Sequence, residues 1–185
     1  MSTATRLTLA LLATLMAGTA IAHAPELPYE HIADYTSNPG ESEHTFLIRM
    51  VPVFRAWADE TSMEACAAIG TDGAGRYGLV VGTSRSHLGC VVDMTRVLPG
   101  MTDTGETIHT HGRPAPFAPN RADMVLIDPT TAASVDAVRA MRRPLLGGQV
   151  LDRFSAADYA SGPGYLATPT GLIYQHGEGT AVPVN

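Results

Sequence analysis

The hydrophobic positions of this chain fall into short runs separated by turn-forming residues, and only the first run is long. That run, Leu7 to Ala20, follows a lone charge at Arg6 and ends in Ala20-Ile21-Ala22, so residues 1–22 read as a secretory signal peptide. It falls short of the ~20 apolar residues that a membrane span needs. Residues 23–43 are rich in Pro, Glu, Ser and Asn and predict an extended, exposed N-terminal arm. From Phe46 to about Asp59 the positions Phe46, Ile48, Met50, Val51, Val53, Phe54 and Trp57 fit a helix imperfectly. Pro52 is expected in its first turn or at a break.

Three short strands are predicted next, over Glu64–Ile69, Tyr77–Val81 and Gly89–Val97, with turn chemistry at Thr71-Asp72-Gly73 and Ser84-Arg85-Ser86. A fourth covers Thr107–His111 and stops at Gly112 and Pro114. Met124–Ile127 suits a strand, and Thr131–Met141 suits a helix that stops at Pro144. Ser155 opens a short helix, and Gly164–Ala167 pairs with Gly171–Gln175 across Pro169-Thr170. Such a mixture predicts an α/β (α+β) sandwich with a mostly antiparallel or mixed sheet.

Composition narrows the partners. The chain has 12 basic and 18 acidic residues, a net charge of −6 with histidines neutral, and every basic residue is Arg. Loss of residues 1–22 removes Arg6 and leaves 11 against 18, a net −7, in a product of roughly 163 residues. That is long enough for one domain with its own core. Beyond Arg142-Arg143 no basic residues cluster, which argues against nucleic-acid partners and anionic membranes. Cys66 and Cys90 are the only cysteines. In an oxidising compartment they are expected to pair, and two free thiols or a shared metal site are the alternatives.

The chemistry centres on His109-Thr110-His111. Two histidines one residue apart on a strand point to the same face, where both imidazoles can reach one metal ion. A later carboxylate can complete three ligands, leaving the open fourth position of a catalytic zinc. Asp158 also has a purely structural role available, as the N3 acid of a capping box opened by Ser155. Glu64 has one as well, as a surface acid at a strand start.

Glu64-Ala65-Cys66-Ala67-Ala68-Ile69-Gly70, then His109-x-His111, then Ser155-Ala156-Ala157-Asp158 follow the order of motifs in JAB/MPN (JAMM) zinc metalloproteases, and residues 46–176 resemble a divergent, exported bacterial branch of that family. The resemblance implies a cytidine-deaminase-like, JAB/MPN-type mixed sheet flanked by helices, forming one domain over 44–185 with an insertion at about 112–150. It implies Glu64 as general acid/base, His109, His111 and Asp158 as zinc ligands, and Ser155 near the substrate oxyanion. The expected activity is hydrolysis of a peptide or isopeptide bond by a secreted or periplasmic enzyme.

Two departures from the family pattern matter. Ala67 stands where the family has Gly, and 43 residues intervene between His111 and Ser155. At the shorter distance usual in the family lies Asn120-Arg121-Ala122-Asp123, so Asp123 is the rival third ligand. Asp158 is preferred because a short helix and the strand beginning Gly164-Tyr165-Leu166 follow it. Other readings are a metal-free binding module on the same fold and a structural or inhibitory domain. A copper site is a further one, built from His23 as a mature N-terminus.

Overall fold

The computed structural model describes residues 27–127, 145–146, 150–177 and 179–185. The expected signal peptide, His23, most of the segment 128–149 and its expected helix at 131–141 lie outside them.

The core is laid down by one amphipathic helix, α1 (Glu43–Thr61). Ser42 caps its start: the Oγ accepts from the Thr45 N–H at 3.2 Å. Phe46, Leu47, Met50, Phe54 and Ala58 recur at helical spacing and are buried. Pro52 lies inside the helix without breaking it, contrary to expectation. Pro52 and Ile48, whose carbonyl loses its partner, are both on the exposed side, where solvent can replace the missing bond.

Against α1 lies a seven-stranded mixed sheet, bearing out the α/β (α+β) expectation. In chain order its strands are β1 (Glu30–Thr36), β2 (Ala65–Thr71), β3 (Tyr77–Thr83), β4 (Thr102–Thr110), β7 (Gly164–Thr168), β8 (Gly171–Gln175) and β9 (Ala181–Val184), while a separate pair joins β5 (Pro116–Phe117) to β6 (Leu145–Leu146). The spatial order is β1-β3-β2-β4-β7-β8-β9, and only β4 and β7 run parallel. Alternation along β2 sends Ala65, Ala67 and Ile69 into the core under α1, with Ile108, Tyr165 and Ala167 from neighbouring strands. Cys66 faces the other way.

Several expectations are revised. Glu30–Thr36, read as part of an exposed arm, is extended but forms an edge strand paired with β3. Gly89–Val97 is not a strand. Both edges of β2 are already occupied, by β3 and β4, and backbone donors in this loop go to serine hydroxyls, Leu88 to Ser86 and Val91 to Ser84. Met124–Ile127 is helical, within α2 (Arg121–Ile127). Asn120 and Asp123 exchange side chain and backbone bonds at 3.0 and 2.9 Å, a reciprocal cap that outweighs the β-branched residues after it. By contrast, α3 (Ala156–Ala160) starts at Ser155 as expected.

Cys66 and Cys90 are bonded, with Cα atoms 6.0 Å apart. Cys90 lies in the loop after β3 rather than on a neighbouring strand. Among the described residues no helix is long and apolar enough to cross a membrane. Replacing both cysteines by Ala is expected to cost about 3 kcal/mol by the loop-entropy account. Urea denaturation measures that loss, and thiol titration of the unreduced protein should find no free cysteine.

Candidate metal centre

The register between β2 and β4 builds half of the site. Ala65 pairs with Thr110 and Cys66 with His109, so Glu64 and His111 face each other one step beyond the ladder. Alternation then turns Glu64, His109 and His111 to the sheet face opposite α1. Gly112 makes the strand end possible: a Cβ there would stand 2.1 Å from the Ser62 carbonyl oxygen at the close of α1. Arg55, buried on α1, donates to Thr110 Oγ1 and to the His111 carbonyl, both at 2.7 Å, and to Asp59 at 2.6 Å. The end of β4 is thereby tied to the helix.

The other half comes from α3. Ser155 and Asp158 form a complete capping box: Ser155 Oγ accepts from the Asp158 N–H at 3.2 Å, and Asp158 Oδ2 accepts from the Ser155 N–H at 2.6 Å. The two roles foreseen for Asp158 are therefore compatible. The cap fixes the carboxylate, and the carboxylate faces the imidazoles.

Ligand atoms of His109, His111 and Asp158 all lie within 4.8 Å of one another, a group able to hold a metal ion. His111 Nε2 is 3.3 Å from Asp158 Oδ2, and His109 Nε2 is 3.4 Å from Asp158 Oδ1. The second contact is poorly aligned, leaving His109 Nε2 buried without a hydrogen bond. His111 Nδ1 lies 3.1 Å from the Val150 carbonyl. A proton on that nitrogen donates to the carbonyl and leaves the Nε2 lone pair turned to the site. Lone pairs of two imidazoles and a carboxylate then converge with nothing positive between them, which is the donor chemistry of a divalent cation site.

The electrostatics agree. Burial pushes the Asp158 carboxyl up, but the two imidazoles beside it and the Ser155 N–H hold it well below the usual carboxylate range. Burial pushes His111 down, and the Asp158 and Glu64 carboxylates raise it above its ordinary value. Glu64 is almost wholly buried, and desolvation holds its carboxyl up at about 8, against the lowering pull of His111. Its Oε1 has no hydrogen-bond partner among the protein atoms.

Asp123 is elsewhere. It is fully buried and takes bonds from Ser86 Oγ at 2.8 Å, the His87 N–H at 2.7 Å and the Asn120 N–H at 2.9 Å. His87 Nδ1 lies 2.9 Å from its Oδ2 while the ring stacks on Phe117. Every lone pair of this carboxylate is spent on holding α2 to the loop after β3. Of the two candidate third ligands, Asp158 is the one that converges on the histidines.

A cavity of about 390 Å³ opens beside the group, bordered by Glu64, His109, Ser155 and Asp158. Arg55 and Gln175 were not foreseen. Buried Gln175 donates from Nε2 to the Asp158 carbonyl at 3.2 Å and to that of Gly162, holding the end of α3. The Arg55–Asp59 spacing was visible as a helical ion pair, but nothing local links it to His111. Comparison of the chain with protein-family models, curated proteins and solved structures gives no match in any of the three. The JAB/MPN resemblance therefore rests on the motif residues themselves.

Two outcomes follow. Asp123→Ala strands several buried donors and should destabilise the protein on the order of 3 kcal/mol. Asp158→Ala loses only a cap, about 1 kcal/mol, yet should sharply weaken metal binding. Urea denaturation of metal-free protein and a metal titration separate the two. The pH dependence has a definite sign. The Glu64 carboxyl ionises at about 8 when folded, against 4.5 as its ordinary value, so the native state holds the extra proton between them. Metal-free stability should be highest below about pH 4.5 for this group and fall as pH rises through 8, by several kcal/mol. His111 acts in the same direction, so Glu64→Gln should flatten only part of the slope.

Proposed function

We propose that this chain is an exported zinc-dependent hydrolase of JAMM type that cleaves a peptide or isopeptide bond. One observation carries the reading: the ligand atoms of His109, His111 and Asp158 lie within 4.8 Å of one another beside the buried Glu64, whose Oε1 has no partner. Two imidazoles and one carboxylate are the donor set of a catalytic zinc with a position left open. Zinc bound there supplies an acidified water and a Lewis acid for a carbonyl oxygen.

The chain's own residues divide the remaining work. Glu64 takes a proton from the attacking water and returns it to the leaving amine. Its carboxyl, held at about 8 by burial, is close enough to neutrality to do both. Ser155 borders the cavity, and its role in this reading is to donate its hydroxyl proton to a developing oxyanion. Thr83 fixes the Glu64 backbone by donating to its carbonyl at 2.7 Å, and the Glu64 N–H donates to Ser86 at 3.0 Å. Export is supported by the signal-like residues 1–22 and by the Cys66–Cys90 bond. The acidic surface and lack of a basic cluster fit a peptide or protein substrate better than a nucleic acid.

Purified protein should carry about one zinc per chain by elemental analysis. His109→Ala and His111→Ala should lose the zinc and stay folded. Glu64→Gln should keep the zinc and lose at least about a hundredfold in peptide hydrolysis. Full zinc occupancy in either histidine variant removes this proposal, and copper in place of zinc redirects it to the His23 reading.

A further inference from the structure

Beyond Glu64, His109, Ser155 and Asp158, the cavity has an apolar wall. Leu88, Val91, Val92 and Met94 come from the loop after β3, Leu126 comes from α2, and Leu27 precedes β1. No Arg is among the described lining residues, so an acidic side chain meets no guanidinium from them, while a basic one would compete with the cation for Asp158. Val91 and Leu126 stay 55% and 44% exposed. Gly89 keeps loop and helix close, since a Cβ there would meet Leu126 Cδ1 at 3.1 Å. The wall is also preformed, because Cys90 bonds the loop to Cys66 two residues from Glu64. A preformed wall spares a ligand the cost of ordering it. A volume of about 390 Å³ suits a small apolar group with a few polar anchors at one side, not a folded partner.

We infer that this cavity is a subsite for one aliphatic or aromatic side chain, carried by the substrate residue that flanks the cleaved bond. The inference rests on the hydrolase reading and makes it specific. The side chain lies against Val91, Val92, Met94 and Leu126, which holds the neighbouring carbonyl over Glu64 and the metal ligands.

Internally quenched peptides varied at one flanking position test it on the zinc-loaded protein. Leu, Met or Phe should exceed Gly or Asp by at least about tenfold in kcat/KM. Val91→Asp and Leu126→Asp alter exposed positions and should erase the preference at unchanged zinc content. An equal rate for all side chains, or a preference that survives both variants, overturns the subsite while leaving the hydrolase standing. If no peptide is cleaved, the hydrolase reading fails on its own, and the cavity is judged by binding. N-acetyl-leucinamide titrated into the protein should then shift the amide resonances of Val91, Val92 and Leu126 saturably, and Val91→Asp should abolish this. Absence of those shifts, or equal shifts with N-acetyl-aspartamide, overturns it.

Discussion

The arrangement of this molecule depends on the antiparallel register of β2 against β4. With Cys66 opposite His109 and Ala65 opposite Thr110, odd and even positions divide cleanly between two faces. One face gives Ile108 and Ala67 to the core under α1, and the other gives Glu64, His109 and His111 to the site. A slip of one residue would exchange the two sets, burying imidazoles under Phe46 and Phe54 and leaving Ile108 in a polar cleft. The tie from Arg55 to Thr110 and His111 and the bond from Cys66 to Cys90 both act on these same two strands, so the register is held at several points.

The site gathers more lone pairs than protons. Asp158 is held ionised by its surroundings, His111 is drawn toward its charged form, and Glu64 is kept from ionising by burial. The Glu64 shift is mainly desolvation, the His111 shift answers the two carboxylates beside it, and the Asp158 shift answers the imidazoles and the Ser155 N–H. A cation among them would favour the ionised carboxylates and the neutral imidazoles. Asp123 shows the contrast: a fully buried carboxylate whose surrounding N–H and O–H donors leave it no capacity for a metal.

Much of this was legible in the chain because the relevant signals are short-range. His109-x-His111 needs only strand alternation, Ser155-x-x-Asp158 needs only one helical turn, and the β7–β8 hairpin is announced by Pro169-Thr170. The errors came where tertiary competition decides. Met124-Val125-Leu126-Ile127 has strand-like side chains, but the Asn120–Asp123 cap lies outside that window and sets a helix. Gly89–Val97 has them too, but both sides of β2, to which Cys90 is bonded, are taken by β3 and β4. Arg55 could not be assigned, since its partners at Thr110 and His111 are brought to it by the fold alone.

The parallel pairing of β4 with β7 has a consequence for the order of assembly. Parallel neighbours require a crossover, and here the crossover separates His111 from Asp158 by 47 positions. Glu64, His109 and His111 are brought together by β2–β4 pairing, whereas Asp158 arrives only when the distant β7 docks beside β4. Closing so long a stretch is among the slower steps of folding. A chain caught before that step offers a cation two imidazoles and no capped carboxylate. The three-donor group that could hold a metal ion is thus complete only in the finished domain, and a half-folded chain is the poorer chelator.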